Sequence, residues 1–391
     1  MTLAAQIQGI VVAWQIYDVT HDPLSLGLIG LAEALPYIGI ALFAGHIADR
    51  FNRRAVALLS LTLLFLCSLT LLALSLAPRF GVRLGGIHAI WPYYVVIFTS
   101  GVARSFLQPS RQALGAELVP RSLYPNAVAW RSSTWQTGAV LGPALGGLLY
   151  GFTSVSFAFA VDTLLIGVAV VAFGLIAYAG RRAEGGREIR IGESLKTGIG
   201  FVWCEPVLLG AMTLDLFSVL LGGAEALLPV FADQVLHVGP QGLGILRAAP
   251  AAGAVVMSLV LAHRPPFQRA GPSMLGAVGT FALCIIGFGL SRSFALSVGL
   301  LVVSGMADNV SVLIRSTLMQ VITPEELLGR VSSVNAIFVG SSNELGAFES
   351  GLAARLLGTI PAVVLGGAAA LMVVFTVAAR VPQLRQLARI E

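Results

Sequence analysis

Twelve stretches of about twenty mostly apolar residues follow one another along this chain, starting near residues 1, 26, 54, 91, 126, 154, 206, 242, 272, 294, 330 and 359. Each is long enough to cross a hydrocarbon layer about 30 Å thick. Composition points the same way. With 57% hydrophobic residues, 11% charged residues and a mean hydropathy of +0.87, a soluble domain of 391 residues would have too little polar surface to cover itself. No stretch between spans is long enough for a separate soluble domain. The expected fold is therefore an all-α membrane protein with twelve transmembrane helices.

An internal repeat orders those helices. Sliding the chain by 204 residues superposes Arg111 on Arg315, Leu114 on Leu318, Pro120 on Pro324, Gly142 on Gly346 and Gly147 on Gly351. Earlier in each half the offset is 214, which pairs Gly30 with Gly244, Pro36 with Pro250 and Arg50 with Arg264. A longer connection around 79–90 than near Ser291 accounts for the difference. The repeat predicts two pseudo-symmetric six-helix bundles, residues 1–180 and 204–391, related by an axis along the membrane normal. Residues 181–203 join them as a polar linker and a surface helix, with Leu195, Ile199, Val202 and Trp203 at helical spacing.

Basic residues resist translocation and so set orientation. Seventeen fall on one set of connections and tails, Arg111 and Arg315 being counted there, against only Arg79, Arg83 and Arg292 on the other. Both termini are then cytoplasmic in a cell inner or plasma membrane. The net charge of +5 is this bias, and no aromatic and basic cluster suggests nucleic acid. The first span begins almost at Met1 without the basic arm expected before a cytoplasmic start, so either a few residues precede it or the start is internal. It is too long and, at Gln6, Gln8 and Gln15, too polar for a signal-peptide core. Cys67, Cys204 and Cys284 stand singly, with neither disulfide nor metal spacing.

Between the second and third spans lies Gly45-His46-Ile47-Ala48-Asp49-Arg50-Phe51-Asn52-Arg53-Arg54, read as a tight basic hairpin. Its pattern, Gly-x-x-x-Asp-Arg-x-x-Arg-Arg, resembles the loop between helices 2 and 3 of major facilitator superfamily transporters. That resemblance implies a conformational latch of Gly45, Asp49, Arg50, Arg53 and Arg54. Asp49 would face the positive end of helix 11, which Thr323, Pro324, Glu325 and Glu326 mark as a helix start. The equivalent loop of the second half, His263 to Arg269, has no Asp, so the latch is expected on one side.

In span five, Gly138-x-x-x-Gly142-Pro143-x-x-Gly146-Gly147 resembles the antiporter motif of drug and proton exchangers. Glycines four apart clear one helix stripe so that a neighbouring backbone can approach, and Pro143 deletes a helix hydrogen bond. An ordinary small-residue packing face is the other reading. The second-half counterpart, Ser342, Gly346, Ala347, Ser350 and Gly351, keeps the sizes and lacks the proline. Trp14-Gln15-Ile16-Tyr17 with Thr20, Leu35-Pro36 and Gly329-Arg330-Val331 are similar to the enterobactin-exporter-like and transmembrane secretion effector group of that superfamily. The helix 4 pattern of proton-coupled drug exporters, Arg-x-x-x-Gly with a Gln before the Gly, is met only in part by Arg104 to Gln108.

Charged side chains inside spans are costly against lipid and are the candidates for substrate or proton work. They are Glu33, Arg104, Asp162, Asp215, Glu225, Arg247, Asp308, Glu344 and Glu349. The repeat sets Glu33 and Arg247 at matching places near the outer mouth, where they suit a gate or a helix anchor; Asp308 is a second candidate for proton coupling. Gln15, Arg104, Gln108, Asp215, Glu225, Asn335, Asn343 and Glu344 are expected to line the cavity. The resemblance implies a secondary active transporter that exports a small amphipathic molecule, drug-like or a siderophore, by alternating access and proton antiport, working as a monomer in the lipid bilayer. An importer, or a non-transporting membrane scaffold or sensor on the same fold, is the alternative. The five histidines sit singly and no P-loop is present, so neither an enzyme, a metal site nor a bound cofactor is expected.

Overall fold

Helix starts sit where caps and prolines dictate them. Asn52 Oδ1 accepts the Arg54 and Ala55 amides at 3.0 and 3.2 Å and opens one helix, and Ser154 Oγ accepts the Phe157 amide at 3.2 Å to open another. The computed structural model describes residues 1–50, 52–77, 90–176, 191–265 and 267–388, with the side chains of 37, 41–50, 116, 121, 125 and 191–195 outside the description. In chain order the helices are α1 Thr2–Thr20, α2 Pro23–Arg50, α3 Arg53–Leu76, α4 Trp91–Leu118, α5 Tyr124–Phe152, α6 Val155–Gly174, α7 Ile191–Cys204 and α8 Pro206–Gly222. A single turn, α9 Leu228–Val230, precedes α10 Gly239–Ala262, α11 Ala270–Leu290, α12 Phe294–Ile322, α13 Glu325–Leu357, α14 Thr359–Arg380 and the short α15 Pro382–Arg385.

Twelve of these elements match the twelve expected spans, and α7 is a further helix between the sixth and seventh of them. Among the described residues, eight are long and apolar enough to cross a membrane on composition alone. The remaining four, α1, α4, α5 and α13, carry many of the polar residues singled out above. The basic hairpin is shorter than expected. Helix α2 continues through Gly45 to Arg50, because nothing in that stretch stops a helix before the Asn52 cap of α3.

The chain forms two compact units, one of Met1–Glu188 with Val238–Ala248 and one of Ile189–His237 with Ala249–Glu391. In the first, α3 packs on α4 and α6, and α1 packs on α5 and α6. In the second, α11 packs on α12 and α14, and α8 packs on α13 and α14. Close contacts repeat at the same offsets. A Cβ added to Gly101 of α4 would stand 2.6 Å from Pro36 Cγ of α2, and one added to Gly305 of α12 would strike the Pro250 carbonyl of α10. Gly101 and Gly305 are 204 apart and Pro36 and Pro250 are 214 apart, so these are one contact built twice.

The seventh span departs from its counterpart. Helix α1 runs unbroken, whereas α8 stops at Gly222 and the chain continues through a 3-10 turn at Ala224–Leu227, α9, and a π turn at Phe231–Val235. Helix α7 lies on α13 with Ile199 and Val202 turned inward beside Val331 and Val334. Trp203, expected on that inward face, is 69% exposed, since it follows Val202 by a single residue and so points about 100° away.

Candidate functional site

The second half of α5 is seated on α1 by its glycines. A Cβ on Gly138 would stand 2.9 Å from Thr2 Cγ2 and 3.3 Å from the Leu3 amide. One on Gly142 would collide with the Gln6 side chain and stand 3.2 Å from the Leu3 carbonyl, and one on Gly146 would lie 3.2 Å from Ile7 Cα. Gly147 turns to the start of α10, where a Cβ would meet the Pro240 carbonyl at 2.5 Å and Gly244 Cα at 2.7 Å. Pro143 lies inside the helix between them. In the second unit a Cβ on Gly346 of α13 would lie 3.0 Å from the Leu220 carbonyl of α8, and Ser350 Oγ donates to the Gly223 carbonyl at 2.8 Å. Gln6 and Leu220 are 214 apart, so this seat is also built twice.

The first half of α5 is different. From Tyr124 to Thr137 its described side chains are exposed or only half-buried. Asn126, Ala129, Trp130 and Ser133, one helical stripe, line an open recess of about 460 Å³, with Trp130 72% exposed. Sequence reasoning missed this stripe, although its spacing of three and four residues was visible.

Each unit holds one ion pair inside its spans among the described residues. Arg104 Nη1 donates to Glu33 Oε1 at 3.0 Å, and Nη2 donates to Gln8 Oε1 at 3.2 Å, joining α4, α2 and α1. Repeat position set Glu33 opposite Arg247, whereas its bonded partner here is Arg104. Arg247 is half-buried in the part of α10 that clusters with this unit. Gln15 accepts from the Tyr150 hydroxyl at 3.3 Å, and Gln108 is exposed. Asp162 of α6 is fully buried beside Ser68 of α3.

In the second unit Asp215 of α8 forms an ion pair with Arg315 of α12, both 6% exposed. This corrects the topology count, which placed Arg315 and Arg111 on connections: they lie inside α12 and α4. Glu225, in the interruption after α8, is exposed and acts electrostatically on Asp308, which is half-buried in α12. Asn335, Glu344 and Glu349 are half-buried in α13; Asn343 is exposed and donates to the Val339 carbonyl at 2.8 Å. Among the described residues no group of His, Cys, Asp and Glu is arranged to hold a metal ion.

At the basic turn, Arg53 Nη1 meets Glu117 Oε1 of α4 at 2.5 Å, and Arg54 Nη2 donates to the Gly174 carbonyl at the end of α6 at 2.6 Å. The second contact satisfies one of the carbonyls a helix end leaves open. Gly45, Asp49 and Arg50 lie on α2 with side chains outside the description. Helix α13 begins at Glu325 behind Pro324, with Glu325 and Glu326 in its first turn.

Two units with matching internal contacts, glycine-seated helices and ionisable groups buried in apolar spans define a multi-pass membrane protein, and its family makes it a transporter. The chain belongs to the Major Facilitator Superfamily, whose family model matches residues 1–347. It is similar to proteins named enterobactin exporter EntS from Shigella boydii serotype 18 and from Escherichia coli O1:K1 / APEC. Each is 26% identical over 328 residues, 83% of this chain and 76% of the relative. Among solved structures it resembles a peptide transporter POT, TM-score 0.74 at 11% identity over 99% of this chain and 93% of that one. It also resembles the nucleoside transporter NupG, TM-score 0.73 at 11% identity over 97% of each chain. These likenesses carry the twelve-helix fold.

Proposed function

We propose that this chain is a secondary active exporter of a small amphipathic molecule, a drug-like compound or a siderophore, working by alternating access with protons as the counter-ion. The observation that carries the reading is the division of α5. Its glycine half is fixed against α1 and the start of α10, while its other half exposes Trp130, Asn126 and Ser133 to an open recess. An aromatic face beside amide and hydroxyl groups suits a ligand with both apolar and polar parts. The enterobactin exporters among the relatives support the outward direction and a siderophore-like cargo.

In this reading the protein acts as a monomer in the inner or plasma membrane with both termini cytoplasmic. Gly45, Asp49, Arg50, Arg53 and Arg54 form the inner latch, and the Gly138 to Gly147 stripe is the pivot. Glu33, already in an ion pair with Arg104, works at a gate together with Arg247, and Asp308 is the alternative proton carrier. Vesicles with an imposed pH gradient, assayed with enterobactin and with ethidium, test it in wild type, Glu33→Gln and Asp308→Asn. Gradient-driven outward flux in the wild type is expected, with loss in one variant and downhill exchange kept. Inward-only flux, or none of either probe, overturns the export reading.

A further inference from the structure

Asp162 sits in the middle of α6 with no exposed surface, against α3. Ser68 Oγ lies 2.6 Å from Asp162 Oδ2 and 2.8 Å from Thr163 Oγ1, and Thr163 Oγ1 lies 2.8 Å from the Phe159 carbonyl oxygen. The Ser68 hydroxyl donates to Asp162 Oδ2, and its oxygen is in reach of the Thr163 hydroxyl, which also donates to the Phe159 carbonyl of its own helix. Among the described residues no cation is within ion-pair distance of Asp162, so little offsets the burial of its charged form.

A second observation points the same way. Among the described residues, the buried Asp162 Oδ1 has no hydrogen-bond partner. This is tolerable for the carbonyl oxygen of a neutral acid and costly for half of an ionised carboxylate.

We propose that Asp162 is a proton-binding site of the first unit, loaded in this conformation and unloaded as the α3–α6 contact rearranges during transport. The unloading half rests on the proton-exchange reading above; the loaded state does not. The charged groups that act on Asp162 from neighbouring helices are Arg104 of α4 and the amino group of Met1 before α1. On α3 the carboxyl meets Ser68, next in sequence to the Cys67 thiol. On α5, Tyr150 is engaged with Gln15, and Tyr124 and Arg131 are exposed. Arg104 is held by Glu33 and Gln8, so a motion that frees it toward Asp162 favours the ionised form and release of the proton.

Infrared spectra of the protein in lipid vesicles test the loaded state. Wild type is expected to show the C=O stretch of a protonated carboxyl that Asp162→Asn lacks and that Ser68→Ala shifts, because its hydrogen-bond partner is gone. Identical spectra for wild type and Asp162→Asn in that region mean an ionised Asp162 and overturn the proposal. Gradient-driven flux of enterobactin or ethidium tests unloading. Asp162→Asn, the same shape and permanently neutral, is expected to lose gradient-driven flux and keep downhill exchange. Undiminished gradient-driven flux makes Asp162 a fixed structural donor and overturns the unloading half. If the wild type itself shows no gradient-driven flux, the antiport reading fails and the unloading half with it, while the infrared result still decides where the proton sits.

Discussion

Arg315 of α12 is ion-paired with Asp215 of α8 in the interior of the second unit, each 6% exposed. The pair ties the first helix of that unit to its fourth in surroundings where a lone charge has no water to answer it. Removing one partner leaves an uncompensated charge, typically a loss of about 3–5 kcal/mol. Asp215→Asn and Arg315→Gln are each expected to lower the temperature at which the detergent-solubilised protein stays monodisperse. The double variant should recover part of the loss; additive losses would mean the two side chains act separately.

Gly142 leaves no room for a side chain against Gln6 and the Leu3 carbonyl. Gly142→Leu is expected to insert and express normally and to abolish transport, since it forces α5 off α1. Gly142→Ala should lose activity in part, with Gln6→Gly restoring some of it. Full efflux by Gly142→Leu at normal expression would reduce the stripe to composition.

Asn52 holds two amides of the first turn of α3, and a cap of this kind contributes about 0.5–2 kcal/mol. Asn52→Ala should speed hydrogen exchange at Arg54 and Ala55. Arg53→Ala, which breaks the partly exposed pair with Glu117, is expected to change stability by less than about 1 kcal/mol.

Trp130→Ala removes the aromatic surface of the recess while leaving the glycine seat untouched. The expected result is weaker apparent affinity for an aromatic substrate with insertion unchanged, read from the concentration dependence of efflux. Trp130→Phe should retain most of the affinity.

Asp49→Asn is expected to shift the cycle toward the state open to the inside, because losing a charge at a helix end costs about 0.3–1 kcal/mol, and up to about 2 when partly buried. Distances between spin labels on the inner ends of the two halves measure this. An unchanged distribution would remove Asp49 from the latch.

The spans were legible because a bilayer imposes one demand on every crossing segment, about twenty apolar residues, and the repeat was legible because small residues and prolines recur at fixed offsets. Gly142 and Gly346 could be paired from sequence for that reason. What spacing could not supply was the partner of each polar group. Glu33 was matched to Arg247 by repeat position, while the structure bonds it to Arg104, which stands on α4 and reaches it only once α2 and α4 have packed. Arg315 read as a loop cation because it lies near a helix end, and only Asp215 explains its burial. The interruption after Gly222 had a signal, Gly222-Gly223 followed by Pro229, but the unbroken α1 hid its meaning.

Four helices, α1, α4, α5 and α13, are too polar to be placed by hydropathy alone. A translocating chain partitions each segment into lipid by its own free energy, and these four fall short. Three of them pack against neighbours along much of their length, α1 on α5, α4 on α2 and α3, and α13 on α8, while the first half of α5 stays open. Biogenesis is consequently expected not to be a run of twelve independent insertions. The first helix is expected to settle only once the fifth is synthesised, and the eleventh to enter against the seventh. A change on the Gly142 or Gly346 seat would therefore be felt at the ribosome and the translocon as well as in the finished protein.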